Sequence, residues 1–172
     1  TPNRKAALKQ AKIYYDGVVG SGNGEDSDIS RADGVRRDPE RVKRLMRSLS
    51  RHQGTSASHD TIYQDMANND DSTLNRDTIS SYIAALKLIF VVEDMTAWNP
   101  ALRSKTAIRT SDTRYFVDPS IAVAALRVGP QDLINDLATF GLFFETMAVR
   151  DLRVYTDALD GNVYHYRDRN EL

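Results

Sequence analysis

The 172 residues, 41% hydrophobic and 27% charged, form an ordinary globular composition large enough for one domain or one and a half. A net charge of -1 supplies no global field toward nucleic acid or membrane, so any such contact must come from local patches. The absence of cysteine excludes disulfides and thiolate metal sites, and with no apolar run of membrane-spanning length and no signal-peptide pattern the expected location is cytoplasmic, without a membrane partner.

Residues 4–19 are helix-permissive, with Leu8, Ala11, Lys12 and Tyr15 on one face, and read as the last helix of a preceding domain. The run Gly20 to Ser27 is rich in glycine and polar residues and reads as a linker; it lacks the Lys-Ser/Thr of a phosphate loop and no strand precedes it. Asp38-Pro39-Glu40 signals a helix start, since aspartate caps free amides, proline is tolerated at the first helical position and an acid suits the positive helix end. Val42, Leu45, Met46 and Leu49 continue it as one apolar stripe, and Gly54 ends it. Ser58 or Asp60 caps a second short helix through Tyr63 and Met66. Asn75 or Asp77 opens a third, with Ile79, Tyr82, Ile83 and Leu86 as its inner face.

Two strands follow, Ile89 to Val92 and Arg114 to Val117, the second stopped by Asp118-Pro119. Three helices, a strand, a loop and a returning strand are the element order of a winged helix, with the third helix in the recognition position and Asn99 to Thr113 as the wing. Beyond it, residues 121–126 form a short helix ended by Gly129-Pro130, and Asp132 begins a long helical region through Leu137, Phe140 and Gly141. Phe140, Phe143, Phe144 and Met147 recur at helical spacing and read as core. Glycine inside a helix costs about 1 kcal/mol relative to alanine, which predicts close packing against Gly141. Asp160-Gly161-Asn162 is a turn, and residues 163–166 alternate as a strand does.

Gly141, Phe144, Glu145, Tyr164, Tyr166, Arg167 and Asp168, with Asp28-Ile29-Ser30, Thr78 to Leu86, Trp98-Asn99-Pro100 and Phe116 to Pro119 upstream, resemble the C-terminal region of a family of predicted prokaryotic AAA-type P-loop ATPases. The resemblance covers roughly residues 28 to 172. It implies a helix-rich α+β chain in three parts: a hinge helix and linker over 1–27, a winged-helix-like domain over 28–128, and over 129–172 the first helix and strand of a truncated module similar to the PD-(D/E)xK nuclease fold. It also implies that the intact protein binds ATP and Mg²⁺ in an upstream core, with that ATPase domain as a partner of this segment. The segment itself carries no Walker A sequence and is expected to hold no cofactor.

Lysine and arginine contacts to phosphate drive DNA binding by counterion release, and a winged helix adds a helix in the major groove. The candidate nucleic-acid contacts are Arg36, Arg37 and Arg44 around the first helix, Arg76 on the third, Arg103, Lys105 and Arg109 on the wing, and Arg114 behind it. The third helix is poor in the Arg, Lys, Asn and Gln side chains that read base edges, and Asp77 lies on it. Two readings therefore stand: contact with double-stranded DNA, or docking of a protein by a winged helix whose cations face elsewhere. Glu145 occupies the helix-acid position of the nuclease-like fold that the resemblance suggests. One carboxylate cannot hold a hydrolytic Mg²⁺, so catalysis would need residues beyond this chain, and the alternative is a core helix whose Glu145 pairs with Arg150 or Arg153 or caps a neighbouring group. His52, His59 and His165 are too scattered for a metal set. Trp98 reads as an anchor for the start of the wing, and an unpaired edge at Tyr164 to Asp168 would favour homo-oligomers. The expected function is a non-catalytic accessory module; a nuclease-like site completed elsewhere is the alternative.

Overall fold

The computed structural model describes residues 3–20, 26–67, 74–98 and 111–166. Every long helix begins where a side chain satisfies its free amides. Asn3 caps α1 (Arg4–Val19), Ser27 caps α2 (Asp28–Arg31), and Asp38 caps α3 (Pro39–Arg51), whose proline takes the first turn. Ser58 rather than Asp60 caps α4 (His59–Met66), and Asn75 rather than Asp77 caps α5 (Arg76–Leu88). Asp118 caps α6 (Pro119–Leu126). The long helical region after Gly129 divides into α7 (Pro130–Asn135) and α8 (Leu137–Asp157), because Asp136 leaves helical geometry and its side chain accepts from the Thr139 amide.

Strands β1 (Val92–Met95) and β2 (Thr113–Phe116) pair antiparallel, Val92 opposite Phe116 and Met95 opposite Thr113. The segment between α3 and α4 joins them: the Gly54 amide donates to the Arg114 carbonyl at 2.8 Å, and the Arg114 amide donates to the Thr55 carbonyl at 3.1 Å. A helix, an edge residue, two helices and a hairpin that pairs back on that edge give a helix-rich α+β arrangement, the class expected. Of the expected wing, Asn99 to residue 110 lies outside the described residues, and Thr113 opens β2.

One apolar core unites α1 to α6 with the hairpin. Val42, Leu45 and Met46 of α3, Ile62 of α4, Ile79, Ile83 and Leu86 of α5 and Phe116 of β2 are all buried in it. The first helix, read in the sequence as the end of a preceding domain, contributes Tyr15, Val18 and Val19 to this core and packs mainly against α6.

Four expectations are corrected. The first strand begins at Val92, not Ile89, because Ile89 and Phe90 form the turn that ends α5. Of the aromatic cluster on α8 only Phe143 is buried; Phe140, Phe144 and Met147 are exposed with Leu137 and Tyr155 on the outward face. A side chain at Gly141 would meet no neighbour within 4 Å, so close packing does not account for this glycine, and nothing in the structure explains it. Where the strand over residues 163–166 was expected there is a single bridge, His165 beside Ala97, with Trp98 donating its amide to the His165 carbonyl at 2.6 Å. Trp98 is itself half exposed and packs on the Tyr164 ring, with centroids 5.6 Å apart.

Candidate docking surface

Among the described residues, the cations nominated by the sequence do not share a face. Arg37 is fully buried. Its Nη1 donates to the Ile29 carbonyl at 2.9 Å, the Val35 carbonyl at 3.0 Å and Asp33 Oδ1 at 2.7 Å, while Nη2 donates to Asp33 Oδ2 at 2.6 Å and the group stacks over Tyr82. Burying a guanidinium is tolerable only when most of its donors are satisfied; here Nη1 and Nη2 are, and only the buried Nε lacks a hydrogen-bond partner. Arg37 is therefore an internal tie between α2, α3 and α5, and its assignment to nucleic-acid contact is corrected. The Asp33 carboxyl is pulled down to about 2, first by the hydrogen bonds from Arg37.

Arg114 is largely shielded and donates from Nε to Asp94 Oδ1 at 2.9 Å, and Lys87 bonds the other oxygen of the same carboxylate. Burial works to raise the Asp94 pKa, but these two cations outweigh it and hold it below the usual range. Arg76 is exposed on the first turn of α5 and pairs with Asp60 at 2.5 Å. Arg36 is exposed and Arg44 is half-buried. Arg103, Lys105 and Arg109 lie outside the described residues.

With Arg76 and Lys87 engaged, the outward face of α5 is Asp77, Ser81, Ala84 and Leu88, a nearly neutral surface that becomes apolar toward its end. Ser80 at its margin meets Nδ1 of His59 at 2.9 Å. Burial first, then the Arg114 and Lys87 charges, push the His59 pKa down, so the ring adds no positive charge here near neutral pH.

The end of α5 is the most informative local feature. The Val91 amide donates to the Leu86 carbonyl at 2.9 Å and the Phe90 amide to the Lys87 carbonyl at 3.1 Å, the paired bonds of a Schellman motif. Buried Val91 and Leu86 supply its usual apolar contact. Phe90 thus occupies the left-handed position, φ 55°, that glycine normally fills. Its ring gains little from folding, since it is 76% exposed beside Leu88 at 60%. A bulky residue held in costly backbone and pointed at solvent is a knob, and sequence reasoning missed it by assigning Ile89 to Val92 to a strand. The available signal was the missing glycine between a periodic helix and a β-rich run.

Glu145 lies elsewhere, on the seam where α8 meets the sheet. It accepts a hydrogen bond from the Tyr115 hydroxyl at 2.7 Å, so of the alternative's two forms it bonds a neighbouring group and does not pair with Arg150 or Arg153. Thr146 beside it donates to buried Gln53 at 3.0 Å, Arg150 pairs with Asp118 at 3.2 Å and with Asp151, and Arg153 pairs with Glu93. Magnesium requires several converging oxygens. Among the described residues no group of three His, Asp or Glu side chains assembles that could hold a metal ion, and Asp168 and Glu171 lie outside them. Among those residues, too, no helix is long and apolar enough to cross a membrane.

The class defined by this geometry is a helix-rich α+β domain with a small antiparallel hairpin. The model of a family described as a domain of unknown function, DUF8612, matches residues 25–132, more than half of the chain, and the chain belongs to that family. The match runs from the approach to α2 to the first turn of α7 and so includes the α5 knob. Neither the curated proteins nor the solved structures contain a match.

Proposed function

We propose that this chain is a non-catalytic docking module that binds a protein partner through the end of α5, with Leu88 and Phe90 as the anchors. The observation that carries the reading is Phe90, an exposed aromatic kept on left-handed backbone where glycine would be cheaper for the fold. Aromatic anchors that fill a partner's pocket dominate protein interfaces. The near-neutral outer face of α5 supports a protein in preference to DNA, because a helix that reads base edges presents Arg, Lys, Asn or Gln there. The resemblance to AAA-type ATPases suggests the ATPase domain of the intact protein as the partner, with ATP and Mg²⁺ held in that domain and not here.

Contact with double-stranded DNA is a second reading, favoured by the outward face of α3. Arg47 and Arg51 are exposed there beside Arg44, and Arg47 has no carboxylate partner among the described residues. The nuclease-like alternative rests on Glu145 by resemblance alone, with its remaining ligands outside the chain.

The test is site-specific photo-crosslinking in cells, with benzoyl-phenylalanine in place of Leu88 or Phe90 and a control at Ser120. A discrete protein adduct at 88 and 90, absent at 120, supports docking. Crosslinks to nucleic acid, or none from either position, would overturn it.

A further inference from the structure

A cavity of about 520 Å³ lies between α1, α3 and α6, well away from the α5 knob, and falls in the size range of small-molecule sites. Its floor is apolar: Leu8, Ala11 and Tyr15 from α1 meet Val123, Ala124 and Val128 of α6 and the turn after it. Three cations, Lys12, Lys43 and Arg127, stand in its wall against a single acid, Asp16. Lys12 is neutralised by Asp16 and Lys43 by Glu40. Arg127 has no carboxylate partner among the described residues and is the cation left over.

The backbone under Arg127 repeats the device seen at Phe90. The Val128 amide donates to the Val123 carbonyl at 3.3 Å and the Arg127 amide to the Ala124 carbonyl at 3.2 Å, with Arg127 left-handed at φ 58°. Glycine is the default there, so the arginine side chain is retained against a backbone cost. Arg127 and Tyr15 both line the cavity, and burial raises the Tyr15 phenol pKa while the Arg127 charge works against that rise.

We propose that this cavity binds a small amphipathic carboxylate, its apolar body lying on the Leu8, Tyr15 and Val123 floor and its carboxylate held by Arg127. An uncompensated cation at the rim of an apolar pocket is complementary to such a molecule, and a guanidinium can take a carboxylate with two parallel hydrogen bonds. The volume suits a small molecule, whereas an amphipathic helix needs a long groove.

Sodium octanoate, below the concentration at which it forms micelles, is the probe, with octanol and octylammonium as controls, followed by calorimetry and by chemical-shift changes at Ala11, Ala124 and Val128. Saturable octanoate binding is expected, with weaker binding of octanol and none of octylammonium. Arg127→Gly relieves the left-handed strain, so the folded chain should melt no earlier than wild type while octanoate affinity falls at least about tenfold, and Arg127→Lys should recover part of it. Absence of saturable binding to wild type, equal affinity for octanol and octanoate, or unchanged affinity in Arg127→Gly would each overturn the proposal, as would binding of an acidic helical peptide but not octanoate. None of these outcomes bears on the α5 knob, so the two readings fail separately.

Discussion

The Tyr115 hydroxyl donates to Glu145 Oε1 at 2.7 Å, joining β2 to α8 across thirty residues of sequence. Around this bond the Gln53 to Thr146 bond and the Arg150 and Arg153 ion pairs form a polar seam that fixes which face of α8 turns inward.

Removing the phenol tests the seam. Tyr115→Phe should lower stability by about 1 kcal/mol near neutral pH, the net value of one partly buried hydrogen bond. Glu145→Ala should cost a similar amount, whereas Glu145→Gln keeps an acceptor and should cost less; denaturant unfolding of the three variants gives the order.

Alkaline pH acts on the same pair. Burial, and then the bond to Glu145, push the Tyr115 pKa up to about 12. In the unfolded chain the phenol ionises near pH 10. Its contribution is therefore complete below about pH 10 and is lost as the pH rises toward 12. Tyr115→Phe should flatten that part of the stability profile, and an unchanged alkaline profile would show that the phenol does not titrate as the seam requires.

Arg37 and Asp33 behave in the opposite sense. The Asp33 carboxyl is held down to about 2, so its contribution is present above about pH 4, the unfolded value, and is lost as the pH falls toward 2. Asp33→Asn should be less stable than wild type at neutral pH and should lose part of the acid-dependent decline. Arg37→Ala, which strands the Ile29 carbonyl and opens a hole beside Tyr82, should cost about 3 kcal/mol or more by urea unfolding.

How far the sequence revealed this arrangement differs from element to element. The cap at Asp38 and the apolar stripes of α3 and α5 were legible, because the N-cap side chain and the helical period are local properties, whereas Asp118, read only as the end of a strand, also caps α6. Partner choice was not. Arg37 looks like one of many basic residues in its run, and only the return of Ser81 and Tyr82 beside it makes it internal. On α8 the apolar residues were recognised, yet a period cannot say which face is covered. Thr146, Arg150 and Arg153 lie inward because each finds a partner, Gln53 after α3, Asp118 at the start of α6 and Glu93 on β1, and Phe144 and Met147 are left outside.

That outward face makes its own prediction. Phe140, Phe144 and Met147 form an apolar stripe of the kind that drives association. The double change Phe144→Lys and Met147→Lys should alter stability by no more than roughly 1 kcal/mol, since surface substitutions are usually within about 0.5 kcal/mol each, while reducing concentration-dependent self-association in sedimentation velocity. A large drop in melting temperature would mean that the stripe is covered in the folded chain.

The most direct measurement is the thermal unfolding of Phe90→Gly in the purified chain. If the ring is retained for contact with a partner and not for the fold, glycine at φ 55° should leave the chain as stable or more stable by about 0.5–1 kcal/mol, the relief of left-handed strain exceeding the added freedom of the unfolded chain. A melting temperature several degrees below wild type would show that Phe90 holds the fold together, and would contradict its role as an anchor.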